Sequence, residues 1–318
     1  MTIEEKPIQN RSTLLANVAE MYYLEDKDQS AIALEVGVTR SMVSRMLTEA
    51  RNKGIVEIKV NHPINTDHEL EEKIYSRFGI NSNVVVINET TQDKLLAQLG
   101  RAAANLLNKN LRTNIVIGVA WGTTVSATVD AITYMGNYSP RVVQLVGAMG
   151  ATNAEYDGHA IVQRLAVKLG GEGYYINAPY LCQSPEIAQS IRETKGVKET
   201  IEMGAALDVA LLGVGTTITE NSSYYLSGFL SREEMENIRI NGAVGDVASN
   251  YFQIDGTPYQ DAFTDRLIRI QLEDLMPVPL RIGVAGGQDK VHAIIGALNA
   301  KIINFLITDN LTARKLLE

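Results

Sequence analysis

The 318-residue sequence predicts an α/β protein in two parts: an all-α helix-turn-helix domain over residues 1–60, then a mainly parallel, three-layer sheet domain over 61–318. Three observations carry that expectation. Two short helical patterns meet at one glycine within QSAIALEVGVTRSMVSRMLTEARNK (29–53). From residue 83 onward, short apolar blocks alternate with helical ones, the pattern of strands buried on both faces by crossover helices. Between the two parts, His62, Pro63 and Asn65 break the periodicity.

Taken in order, Leu15, Val18, Ala19 and Tyr22 recur at helical spacing and predict a supporting helix over 12–24. Ile32, Ala33 and Val36 give the next helix one apolar face, and Gly37 supplies the backbone freedom of a tight turn. Thr39 is placed to cap a third helix, in which Val43, Met46, Leu47 and Ala50 make the packed face. Its other face carries Arg40, Ser41, Ser44, Arg45 and Arg51, side chains suited to phosphates and base edges. With Thr39 these are the candidate DNA-binding residues, because a recognition helix meets bases through its N-terminal part. The plainer alternative is a charged face that only meets water. Charge distribution favours the first reading: residues 1–39 hold three Lys or Arg against seven Asp or Glu, whereas 40–59 hold five against two. Residues 55–60 alternate like a strand.

Thr66 followed by Glu69 resembles a capping box opening a helix that runs to about residue 77. Strands are expected at 84–87, 115–119, 142–146, 174–176, 209–213, 281–284 and 303–307, with helices at 94–107, 125–134 and 160–169 among them. In such a sheet ligands sit beyond the carboxyl ends of the strands, which directs attention to three loops. GVAWGTTVSAT (118–128) passes through Gly122 into a helix start at Thr123 and Thr124, where unpaired amides and the helix dipole favour an anion. LLGVGTT (211–217) sets glycines after an apolar strand. GVAGGQDKVHAI (283–294) combines Gly286, Gly287 and Lys290, whose ammonium could neutralise a phosphate. Each loop alone could be a turn and a cap; together they predict an anionic small-molecule site. Asp246, in GAVGDV, could orient sugar hydroxyls or simply cap a turn. Trp121 could shield a pocket or belong to the core.

Composition bounds the alternatives. A hydrophobic share of 45% and a charged share of 21% are those of an ordinary soluble globule, and the longest apolar runs, such as 115–121, are too short to cross a bilayer. The opening residues do not form a signal peptide and Cys182 is alone, so no membrane and a cytoplasmic location are expected. A net charge of −8 argues against nonspecific coating of nucleic acid and suits binding at chosen sites by an oligomer. His62, His68, His159 and His292 lack metal-ligand spacing; no P-loop, dinucleotide fingerprint or serine elbow occurs. No cofactor, metal or catalytic residue is expected.

The helix-turn-helix followed by WGTT (121–124), VVQL (142–145), GAVGD (242–246) and AGGQDK (285–290) resembles, from about Leu14 to the end, the SorC family of sugar-binding transcriptional regulators. The resemblance implies a DNA-binding domain joined to a Rossmann-like effector domain of the sugar-phosphate isomerase and deaminase type. It further implies operator DNA and a phosphorylated sugar or polyol as partners, and assembly as a homodimer or homotetramer. By position, Gly122, Thr123, Thr124 and Lys290 match phosphate-contacting residues and Asp246 a sugar-contacting carboxylate. Gln144, Gly215, Gly286 and Gly287 would line the same pocket. One departure matters. A deoxyribose-phosphate-sensing member has a Schiff-base lysine directly after this motif, where the present chain has Val146. That points to noncovalent recognition of a different phosphosugar or polyol. The alternative function is an isomerase or deaminase-like enzyme with an appended helical module.

Overall fold

The computed structural model describes residues 11–56, 64–88, 91–133, 138–150 and 156–318. The chain forms two compact units, Met1–Pro63 and Ile64–Glu318.

The described part of the first unit is helical: α1 (Arg11–Tyr23), α2 (Gln29–Val36) and α3 (Arg40–Asn52). Asp28 caps α2, its carboxylate accepting from the amides of Ser30 and Ala31, and Gly37 ends it at φ +73°. Two residues on, the Thr39 hydroxyl accepts from the Met42 amide and starts α3. Leu15, Val18, Ile32, Val43, Met46, Leu47 and Ala50 close a small core. Ile55 and Val56 pack at its edge; the remainder of the strand expected over 55–60 lies outside the described residues.

In the second unit, α4 (His68–Phe78) precedes β1 (Asn81–Val85), α5 (Gln92–Asn110), β2 (Val116–Val119), α6 (Thr123–Ala131), β3 (Arg141–Gln144), α7 (Gly158–Leu169) and β4 (Glu172–Tyr174). Helices α8 (Pro185–Arg192) and α9 (Lys195–Glu202) lead to β5 (Val209–Thr216). Then come α10 (Ser223–Leu226), α11 (Arg232–Ile240), β6 (Ala243–Val247), β7 (Asn250–Gln253) and α12 (Leu272–Leu275). The chain ends with β8 (Leu280–Val284), α13 (Val291–Asn299), β9 (Phe305–Asp309) and α14 (Asn310–Leu317).

Seven strands lie in the order β1-β9-β8-β5-β2-β3-β4, every neighbouring pair parallel. Alternate side chains serve opposite faces. Ile117, Val119, Val209 and Leu211 pack with α5, α6 and α7, whereas Val116, Ala210 and Leu212 join a core that includes α4, α13 and α14. The expected three-layer architecture is the observed one. Beyond the expectation, β6 and β7 form an antiparallel hairpin joined to the end of β5. A second difference concerns the start of α4. Thr66 forms an isolated bridge with Val85, and Asp67 caps the helix by accepting from the Leu70 amide.

The strand order reverses at β2: β3 follows on one side, and β5 returns on the other. Such a reversal opens a crevice at the carboxyl ends of the two strands. The loop after β8 reaches the same end and is tied to α14 through Asp309. One Asp309 oxygen accepts from the Leu311 and Thr312 amides, the other from the Gly287 amide and the Thr312 hydroxyl. Asp309→Ala removes this cap and leaves the Gly287 amide with the Thr312 hydroxyl as its acceptor; urea denaturation should show a loss of about 1–3 kcal/mol. Unchanged stability would mean that the tie carries no free energy.

Candidate functional site

A cleft occupies the reversal between β2 and β5. Gly122, Thr123 and Thr124 enter it from the β2–α6 loop, Gly215 from β5, Gly286 and Lys290 from the loop after β8, and Asp246 from β6. Seven of the nine residues expected at an effector site therefore meet in one cavity. The other two do not. Gln144 is fully buried, donates to the Val146 carbonyl at 2.7 Å and packs on Gly158. Gly287 faces a neighbouring surface groove, and its amide is taken by Asp309 and Thr312.

The anion-attracting end follows from local backbone. Gly122 turns the chain at φ +121° and, among the described residues, no side chain caps α6, whose first helical bond runs from the Ser126 amide to the Gly122 carbonyl. Thr123 and Thr124, at the opening of α6, line the cleft, and among the described residues no carboxylate caps the amides there. Lys290 stands on the opposite loop, half-buried. Burial pushes its ammonium below the usual lysine range, while the charges of Asp246 and Asp289 oppose that shift.

Asp246 marks the other end. It pairs with Gly215 across the β5–β6 ladder, and its carboxylate lies where a Gly215 side chain would be: a Cβ there would stand 1.9 Å from Oδ1. Oδ2 accepts from the Tyr224 hydroxyl at 3.0 Å and from the Ser249 amide at 3.0 Å. With its proton on Asp246, Tyr224 accepts from Trp121 Nε1 at 3.3 Å and from the Ser249 hydroxyl at 2.8 Å. Burial raises the Asp246 carboxyl above the usual aspartate range; Tyr224, the Ser249 amide, Lys290 and Arg269 act against it. An orienting carboxylate held on one oxygen leaves the other for a ligand hydroxyl.

Several walls had no sequence signal. Tyr224 on α10 and the apolar side chains Leu95, Leu96 and Leu99 of α5 line the cleft. Trp121, for which the sequence left pocket and core open, lines the cleft edge-on to Tyr224 at 4.9 Å. In the first unit, Thr39, Arg40, Ser41, Ser44, Arg45 and Arg51 are all exposed on α3 or its cap. Of the histidines, His68 meets Glu71 and His159 stacks on Tyr175; His62 lies outside the described residues. Among the described residues no group of His, Cys, Asp or Glu could hold a metal, and no helix is long and apolar enough to cross a membrane.

The sugar-binding domain family model matches residues 62–318. The sorbitol operon regulator of Klebsiella pneumoniae is 28% identical over 309 residues, covering 96% of this chain and 98% of that protein. The deoxyribonucleoside regulator of Bacillus subtilis (strain 168) is 29% identical, with 97% and 98% covered. The crystal structure of the full-length sorbitol operon regulator SorC from Klebsiella pneumoniae superposes with a TM-score of 0.75 at 26% identity, over 99% of this chain and 100% of that one.

Two variants test the geometry of the carboxylate end. Gly215→Ala should displace Asp246, costing about 1–3 kcal/mol of stability together with ligand binding; a variant that keeps both would show that the ladder tolerates a methyl group. For Asp246, the sign follows from its raised pKa. The ionised form is disfavoured in the folded state, so stability is lost as pH rises from the ordinary aspartate range through the raised value. Asp246→Asn, which can still accept from Tyr224 and Ser249, should therefore gain in melting temperature relative to the parent between pH 4 and pH 7. A constant difference across that range would remove the burial argument.

Proposed function

Because the chain belongs to the sugar-binding domain family of transcriptional regulators, we propose that it binds operator DNA through α3 and that a phosphorylated sugar or polyol in the cleft modulates this binding. Carbohydrate metabolism is the process controlled. The enzyme alternative has no support in the relatives matched across the full chain, which are regulators.

The observation that carries the reading is the polarity of one cleft. At one end, uncapped α6 amides and Lys290 suit a phosphate; at the other, Asp246 suits hydroxyls. A molecule with both chemistries satisfies groups that are otherwise costly to bury. Gly122, Thr123, Thr124 and Lys290 hold the phosphate, and Asp246, backed by Gly215, orients the sugar. Val146 follows Gln144 and Leu145 where a Schiff-base lysine would be needed, so binding is noncovalent.

On the DNA side, Thr39, Arg40, Ser41, Ser44, Arg45 and Arg51 supply the contacts, with Arg45 a base reader and Arg51 a phosphate contact. The chain works in the cytoplasm as a homodimer or homotetramer, pairing recognition helices on operator half-sites. Effector binding shifts the population between two arrangements of the oligomer that differ in helix spacing. A ligand achieves this only by binding them unequally, and moving a 1:99 equilibrium to 99:1 takes about 5.5 kcal/mol across the assembly.

Thr123→Ala and Lys290→Ala should each abolish the ligand response while operator affinity stays at the parent value, as read by fluorescence anisotropy with labelled operator. Parent-like effector affinity in either variant would remove that residue from the phosphate seat. Arg45→Ala should weaken specific binding by roughly 1–3 kcal/mol, and an unaltered base preference would exclude base reading by this side chain.

A further inference from the structure

Helix α3 presents one exposed side chain that neither its packed face nor its polar DNA contacts account for. Val43, Met46, Leu47 and Ala50 are buried in the small core of the first unit. Met42, the other large apolar side chain of this helix, is 44% exposed and stands outside that core. Single exposed apolar side chains are ordinary on any protein surface. What distinguishes this one is its place, in the first turn of α3, the part of a recognition helix that meets base edges.

The polar side chains around it are unequally free. The Thr39 hydroxyl accepts from the Met42 amide at 3.3 Å and lies 3.0 Å from the Ser41 hydroxyl, so both oxygens are engaged at the helix start. Further along, the Thr48 hydroxyl donates to the Ser44 carbonyl at 3.1 Å and accepts from Arg51 Nη2 at 3.4 Å. Arg45 is exposed and has no ion-pair partner among the described residues. Residues three apart on a helix are surface neighbours, with Cβ atoms about 5–6 Å apart, so Met42 and Arg45 stand side by side. Their chemistries differ. A guanidinium forks onto guanine O6 and N7, whereas an apolar side chain is matched by the apolar group of the major-groove edge, the thymine C5-methyl. With a rise of about 3.4 Å per base along a strand, that side-by-side spacing spans roughly one or two base steps.

We propose that Met42 is a specificity-determining residue that reads a thymine methyl within two base pairs of the guanine bound by Arg45. Contact between the thioether side chain and the methyl removes apolar surface from water on both partners. Cytosine, which carries hydrogen at C5, leaves that surface wet, and a polar base edge placed against Met42 is desolvated without a hydrogen-bond partner. The unbranched, flexible side chain of methionine adapts to a methyl whose position shifts slightly with local DNA shape. The inference rests on α3 being the DNA-reading helix.

The test uses the full chain to select sites from a pool of random-sequence duplex DNA. Each thymine of the selected consensus is then replaced by uracil, which removes the C5-methyl and keeps the base pair, and affinity is read by fluorescence anisotropy. Burial of one methyl group corresponds to roughly fourfold in affinity, and a loss of that size is expected at a thymine within two base pairs of the guanine whose preference Arg45→Ala removes. Met42→Ala and Met42→Gln, both substitutions that a helix accepts readily, should bind the thymine and uracil forms equally, while Arg45→Ala keeps the difference. Uracil tolerated at every position, methyl sensitivity that survives in both Met42 variants, or a sensitive thymine only elsewhere in the site would each overturn the proposal. A pool that yields no consensus would reject DNA reading by α3 as well, whereas a consensus indifferent to uracil would reject the role of Met42 alone.

Discussion

The pairing of Gly215 with Asp246 is the constraint on which the site depends. Strand β5 runs past the edge of the parallel sheet: Val209–Gly213 pair with β8, while Val214, Gly215 and Thr216 pair with β6. That overrun brings the β6–β7 hairpin, and Asp246 with it, over the carboxyl ends of the strands. Only a glycine at 215 leaves room for the carboxylate. A side chain there would push Asp246 away from Tyr224 and Ser249, and the cleft would lose its acidic end.

Around that pairing the cleft is an arrangement of unequal electrostatic ends. The start of α6 and Lys290 favour negative charge; Asp246 disfavours it and seeks donors. Burial raises the cost of both Lys290 and Asp246 in their charged forms, and each partly relieves the other. A ligand that brings a phosphate to one end and hydroxyls to the other gains on both counts.

Much of this was legible from residues. The helix-turn-helix follows from Gly37, Thr39 and the spacing of Val43, Met46 and Leu47, because local capping and periodicity decide a small helical unit. The seven parallel strands follow from apolar runs such as 115–119 and 209–213, because a strand buried on both faces has little choice of residue type. The β6–β7 hairpin has no such signal: its strands are short, rich in small and polar residues, and exist through pairing with β5 rather than through their own pattern. The family resemblance puts Gln144 in the pocket. Its side chain instead turns to the Val146 carbonyl beneath Gly158. The same resemblance puts Gly287 there, yet its amide donates to Asp309 and Thr312, more than twenty residues on. Tyr224 and the α5 leucines reach the cleft from elements far apart in the chain, which periodicity alone cannot bring together.

In the proposed function, occupancy of the cleft and operator binding through α3 share one equilibrium. By linkage, an effector that changes operator affinity by some factor must have its own affinity changed by the same factor when operator is bound. The direct measurement is therefore a titration of a sugar phosphate against the full chain with and without saturating operator DNA, followed through Trp121. Two distinct dissociation constants are expected, their ratio equal to the ratio of operator affinities measured with and without the ligand. Identical dissociation constants in the two titrations would rule this coupling out.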